Sequence, residues 1–260
     1  MNCFFREKAR GKTTRGFFLI FAVTYYNNKS RRTIPAVLEE IMKIAIDGPG
    51  GAGKSTVSKA VAAKLGIVYV DTGALYRTVG YYVRKMEKNP KSAEEVTPLL
   101  DEITIEVKYI DGAQKVFLNG EDLGDKIRTP EMSMYASAVS AIPAVRAFLL
   151  DTQKDIARKN SVIMDGRDIG TVILPDAEVK IYLTASAECR ATRRYKELLA
   201  KGQTNVKYED VLAEMNERDT NDSTRAVAPA TAAKDAILLD NTDLTFDETV
   251  EKIIQIATGK

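Results

Sequence analysis

Histidine is absent from all 260 residues, and the chain has only two cysteines, Cys3 and Cys189. Without imidazole there can be no Ser-His-Asp hydrolysis, no His-ligated zinc and no imidazole general base. Chemistry is left to carboxylates, lysines, arginines and backbone dipoles. The two cysteines lie on opposite sides of the first apolar strand, so a structural disulfide is not expected and a reducing, cytoplasmic setting fits. A dominant charge is also lacking. The 38 basic and 36 acidic residues give a formal net charge of +2, which offers no footing for nucleic acid or an acidic membrane. Long hydrophobic runs are scarce. Gly16 to Tyr26 (GFFLIFAVTYY) follows Arg and Lys as a weak signal peptide would, but it is too short to span a bilayer and has no small-residue cleavage site.

What is there begins with an asymmetry. Residues 1–41 carry eight basic and three acidic side chains, leaving 30 against 33 in the remainder. The basic excess therefore belongs to this leader. Met42 directly precedes the first strand, so residues 1–41 are expected to be a dispensable extension and residues 42–260 the working domain. At 45 % hydrophobic residues, the domain can build a sizeable core.

From Met42 on, apolar strands alternate with amphipathic helices. KIAID (43–47) leads to a helix from Lys54 to Leu65, then IVYVD (67–71) and a helix from Gly73. SVIMD (161–165), EVKIYLT (178–184), charged helices over 186–201 and 207–219, AILLD (236–240) and a helix from Phe246 to Ala257 follow. Five short buried strands in this order predict a parallel sheet covered on both faces, in an α/β/α sandwich. ITIEVKYI (103–110) alternates with period two, Asp111-Gly112 is a type I′ turn signal and QKVFLNG (114–120) returns. This predicts an antiparallel hairpin inside an insert running from Glu94 to about Arg128.

Gly48-Pro49-Gly50-Gly51-Ala52-Gly53-Lys54-Ser55, followed by Thr56, fits G-x-x-x-x-G-K-[ST] between an apolar strand and a helix. Glycines let successive N–H groups curl around phosphate oxygens, and the helix adds its positive dipole end. Lys54 can reach the terminal phosphates of ATP and Ser55 can hold Mg²⁺. Asp165 ends the strand expected to organise Mg²⁺ through water. No N-K-x-D guanine reader accompanies this loop, which argues against a GTPase.

A kinase that joins two phosphorylated substrates needs arginines from several segments, since planar guanidiniums grip phosphate bidentately and keep their charge. Four clusters qualify: Asp71 to Arg77; Asp165-Gly166-Arg167-Asp168; Arg190, Arg193 and Arg194 on one helix edge; and Arg218, Asp222 and Arg225, which share a face if that segment is helical. Other small-molecule P-loop kinases, for UMP, AMP or shikimate, and a non-catalytic nucleotide switch stay open on these clusters alone.

The strings GPGGAGKST, DTGALYR, SAVSAIPAVR, DGRDIGTVILPDA and RDTNDSTRAVAPA stand in an order and spacing that resembles the bacterial-type cytidylate kinases over essentially all of residues 42–260. The resemblance implies transfer of the ATP γ-phosphoryl group to CMP or dCMP with Mg²⁺, by a protein expected to be monomeric. It implies a P-loop core (42–72, 160–185 and 223–260), a monophosphate-binding region carrying the β insert (73–159) and a helical lid (186–222). Carried over by position, Arg77, Arg167 and Arg225 would grip the acceptor phosphate, with Thr72 nearby. Ser137, Arg146 and Asp168 would read cytosine, and Arg218 and Asp222 would face the sugar. Lys54, Arg167, Arg190, Arg194 and Arg225 would be the catalytic cations. Two departures stand out: the family often has Ser where Thr72 stands, and the leader has no counterpart.

Overall fold

The computed structural model describes residues 41–259, so the expectations placed on the leader up to residue 40 lie outside the described residues. Strand β1 (Lys43–Asp47), helix α1 (Lys54–Leu65), strand β2 (Val68–Asp71) and helix α2 (Thr72–Lys85) open the fold. A short α3 (Ala93–Val96) and the strands β3 (Ile105–Ile110), β4 (Ala113–Leu118) and β5 (Glu121–Asp122) form the insert. Then come α4 (Pro130–Ser140), α5 (Pro143–Lys159), β6 (Val162–Asp165), β7 (Val179–Thr184), α6 (Ala187–Ala200), α7 (Tyr208–Thr224), β8 (Ile237–Asp240) and α8 (Phe246–Thr258).

The main sheet has the order β2-β6-β1-β7-β8, every pairing parallel, as expected. Its central strands are apolar at successive positions because both faces are covered. Ile44, Ile46, Ile163 and Ile181 pack on the side of α1 and α8, whereas Ala45, Val162 and Met164 pack on the side of α2 and α5. Each fully buried isoleucine contributes on the order of 1.5–3 kcal/mol of transfer free energy. Among the described residues, no single helix is long and apolar enough to cross a membrane.

Parallel register sends the carboxyl ends of neighbouring strands to one edge, so Asp47, Asp71 and Asp165 end β1, β2 and β6 together, with Asp71 opposite Asp165. Just beyond β1 the chain must turn hard against β7. Gly48 has φ 144°, and a Cβ there would sit 2.0 Å from the Leu183 carbonyl oxygen. The obstacle is backbone and cannot swing away. Gly48→Ala is expected to cost at least about 2 kcal/mol of stability, read as a lowered urea midpoint. A midpoint within error of wild type would show that the loop has another path.

The insert is richer than its pattern suggested. Asp111 (φ 52°) and Gly112 (φ 76°) make the expected tight turn. A second turn at Asn119 (φ 50°) and Gly120 (φ 84°) adds β5, which the pattern did not suggest. Helix α7 also extends past the expected end at 219 to Thr224, so Arg218 and Asp222 share it while Arg225 stands just outside, in extended backbone.

Candidate active site

The N-cap of helix α1 is Gly53, which has φ 87° and gives no side-chain cap, so the first N–H groups of the helix are left for a ligand. Lys54 is buried and donates to the Pro49 carbonyl at 2.6 Å, curling over the loop that precedes it. Burial, and next the Arg167 guanidinium, hold its ammonium well below the usual lysine range. Ser55 Oγ donates to Asp165 Oδ2 at 2.7 Å, and the Tyr69 hydroxyl donates to Asp165 Oδ1 at 2.8 Å. Burial, and next the Asp71 carboxylate, push Asp165 up. Thr72 is turned inward, its hydroxyl donating to the Asp165 carbonyl at 2.7 Å, so it ties α2 to β6. Asp47 accepts from the Ile169 and Gly170 N–H groups, each at 2.8 Å. Burial raises it to about 6 despite those two bonds.

A second polar group gathers residues from β2, α2, α4, α5, α7 and the loop after β6. Asp71 Oδ2 accepts from Arg77 at 2.9 Å and Arg128 at 3.1 Å, while its Oδ1 caps α2 through the Ala74 N–H at 2.9 Å. Asp222 Oδ2 accepts from Arg167 at 3.0 Å and its Oδ1 from Ser137 at 3.0 Å, and Arg218 lies 3.9 Å away. Burial, and next Arg167, lower Arg218 to about 10. Asp168 is ion-paired to Arg146, which stacks 5.7 Å over Tyr76, and lies 3.6 Å from Arg225. Arg225 also donates to Ser140 Oγ at 3.0 Å and the Ala228 carbonyl at 2.7 Å. The end of α7 thus turns Arg225 toward α4 and Asp168. Arg77 Nε and Arg218 Nε are buried without a hydrogen-bond partner, an arrangement that an anionic ligand would satisfy.

The three α6 arginines share one face of the helix by their spacing but take different partners. Arg190 is buried, donating to the Ala185 and Gly50 carbonyls and ion-paired to Asp219 at 2.5 Å. Arg193 donates to Asn241, whose amide in turn holds the Ala52 carbonyl of the phosphate loop at 3.0 Å. Arg194 pairs with Glu197 at 2.8 Å. Asp219 also accepts from the Gly50 N–H at 3.3 Å, joining α7 to the loop. Asp71 and Arg193 belong to the clusters read from the sequence, whereas Asp47, Tyr69, Arg128, Asp219 and Asn241 were not foreseen as site residues. Of these, only Arg128 and the strand-end acid Asp47 carried a sequence signal, as charges near the motifs.

A cavity of about 680 Å³ joins the two halves. Gly50, Gly51, Gly53, Lys54, Ser55 and Thr56 line one side and Gly73, Arg77, Arg128, Arg167 and Arg218 the other. Its wall holds nine Lys and Arg side chains against four acids (Asp71, Asp165, Glu197 and Asp219), a surplus suited to two phosphorylated substrates at once. Fold and cavity together define a P-loop phosphotransferase.

Comparison with known proteins narrows the class. The family model described as cytidylate kinase matches residues 44–259. A cytidylate kinase of Caldicellulosiruptor bescii is 50 % identical over 215 residues, covering 83 % of this chain and 95 % of the relative. That of Fervidobacterium nodosum is 51 % identical over 214 residues (82 % and 95 %), and that of Thermosipho melanesiensis 50 % over 218 residues (84 % and 97 %). The chain belongs to the cytidylate kinase family.

Proposed function

We propose that this protein transfers the γ-phosphoryl group of ATP to CMP and dCMP, giving ADP and the nucleoside diphosphate, as part of pyrimidine nucleotide metabolism in the cytoplasm. The observation that carries the acceptor choice is the buried Arg146–Asp168 pair, joined by Arg225, with Asp222 nearby in sequence and bonded to Arg167 and Ser137. A carboxylate accepts from the exocyclic N4 amino group of cytosine, and a guanidinium donates to its O2 and N3. Arg77, Arg167 and Arg225 hold the acceptor phosphate, while Arg218 and Asp222 face the sugar.

Ser55 and Asp165 fit Mg²⁺: two hard oxygens lie 2.7 Å apart beside the phosphate loop, so Ser55 would hold the ion directly and Asp165 through water. Bound there, it would neutralise charge on the β and γ phosphates. Lys54 and the loop N–H groups hold those phosphates, and Arg190, Arg193 and Arg194 cover them from α6. The acceptor phosphate is already anionic, so the reaction needs in-line positioning more than a general base, in keeping with a chain that has no histidine. In this reading residues 42–72, 160–185 and 223–260 form the core, 73–159 the acceptor region and 186–222 a lid that excludes water. The protein acts as a monomer, and residues 1–41 are dispensable.

ADP release measured with CMP, dCMP, UMP, AMP, GMP and dTMP tests the assignment. The highest kcat/KM is expected with CMP and dCMP. Preference for another acceptor, or turnover independent of any acceptor, would overturn it.

A further inference from the structure

Two arginines beside the cavity share a single carboxylate oxygen. Arg77, from α2, and Arg128, from the point where the insert rejoins the core, both donate to Asp71 Oδ2. Two guanidiniums held against one acid leave a positive excess, and like charges so placed repel unless something else is to be bound. Arg77 Nε is buried without a partner, and both side chains line the cavity facing the phosphate loop. Arg128 is fixed on either side. Ile127 before it is buried, and Thr129 after it caps α4 by accepting from the Met132 N–H at 3.1 Å.

Asp71 is in turn held by the insert. Gln114 on β4 accepts from the Asp71 N–H at 2.7 Å and donates to the Asp71 carbonyl at 3.1 Å. β2 is an edge strand of the main sheet, so on its outer side the Asp71 peptide groups have no neighbouring strand in that sheet. The Gln114 side-chain amide takes the place of a partner's peptide group.

We infer that Arg128 is a second ligand of the acceptor phosphate, aimed beside Arg77 by Asp71, and that Gln114 is the positioning residue through which the inserted hairpin holds Asp71 for that task. Burial works to raise the Asp71 carboxyl, but Arg77, Arg128 and the Ala74 N–H more than offset it, so Asp71 stays a carboxylate below its ordinary range. The hairpin thereby sets affinity for the phosphate end of the acceptor and leaves base choice to Asp168 and Arg146.

This rests on the cavity being the CMP site, and wild-type turnover with CMP checks that separately. In Arg128→Gln the KM for CMP is expected to rise about tenfold, with the KM for ATP unchanged and kcat changed less than KM. Calorimetry with CMP and with cytidine, which lacks the phosphate, supplies the second readout. Arg128→Gln should weaken CMP and leave cytidine as it was. Gln114→Leu should do the same to a smaller degree, and Gln114→Glu, which loses the donor and faces Asp71 with a like charge, should be worse than Leu. If wild type turns over CMP but Arg128→Gln keeps its KM within twofold, or cytidine weakens as much as CMP, the role of Arg128 is overturned. If both Gln114 variants keep the wild-type KM for CMP, the role of the hairpin is overturned.

Discussion

Replacing Lys54 with methionine is expected to slow phosphoryl transfer by about a thousandfold while the protein stays folded. The thermodynamic side follows from burial. The Lys54 side chain is buried beside Arg167, and its ammonium is held well below the usual range by that burial and that neighbour. Methionine has nearly the same length and no charge to desolvate, so the loss of one hydrogen bond to the Pro49 carbonyl is offset by relief of a buried cation. A melting temperature close to wild type is expected. Function follows the opposite sign. A triphosphate brings negative charge to the loop and favours the ammonium form, and charge moving between the β and γ phosphates during transfer keeps it engaged. Losing a preorganised cation at that point costs about 4 kcal/mol of barrier, near a thousandfold in rate. Single-turnover measurement at saturating ATP and CMP separates this from weaker binding. A Lys54→Met protein that retains a tenth of wild-type turnover would remove Lys54 from the transition state.

The sheet and the phosphate loop were legible in the sequence because both are written locally. Buried parallel strands are apolar over most of their length, and a loop that must wrap phosphate needs its glycines in fixed succession, as at Gly48, where β7 leaves no room for a Cβ. Second-layer contacts were not legible. Asp71 meets Gln114 across 43 positions and Arg128 across 57, and Asp219 meets Gly50 across 169. Nothing in the neighbourhood of any of these residues announces the pairing. The arginine clusters show the same limit. Helical spacing places Arg190, Arg193 and Arg194 near one another, but Asp219, Asn241 and Glu197 draw them to three different partners. Spacing alone does not give the conformation of Arg225, since α7 stops one residue short of it and the chain turns it toward Ser140 and Asp168.

Asp168→Asn is expected to compress the preference for CMP over UMP by about a hundredfold. Asp168 is buried between Arg146 and Arg225. Burial raises its carboxyl above the ordinary range, against the pull of those two guanidiniums. As a carboxylate it offers only acceptors, which suit the N4 amino group of cytosine and face O4 of uracil acceptor to acceptor. The asparagine amide has the same shape and one end that donates, so uracil gains a partner where it had a repulsion, while cytosine keeps at best a neutral hydrogen bond. A lost charged contact and a gained neutral one together approach the 3 kcal/mol upper end of what a paired base contact discriminates. The variant will also be less stable, because two guanidiniums lose the acid they share. For that reason the readout is the ratio of kcat/KM for CMP to that for UMP, in which the folded fraction cancels, with the KM for ATP as the internal control. An unchanged ratio, whatever the absolute rates, would show that the base is read elsewhere and would detach the Arg146–Asp168 pair from substrate choice.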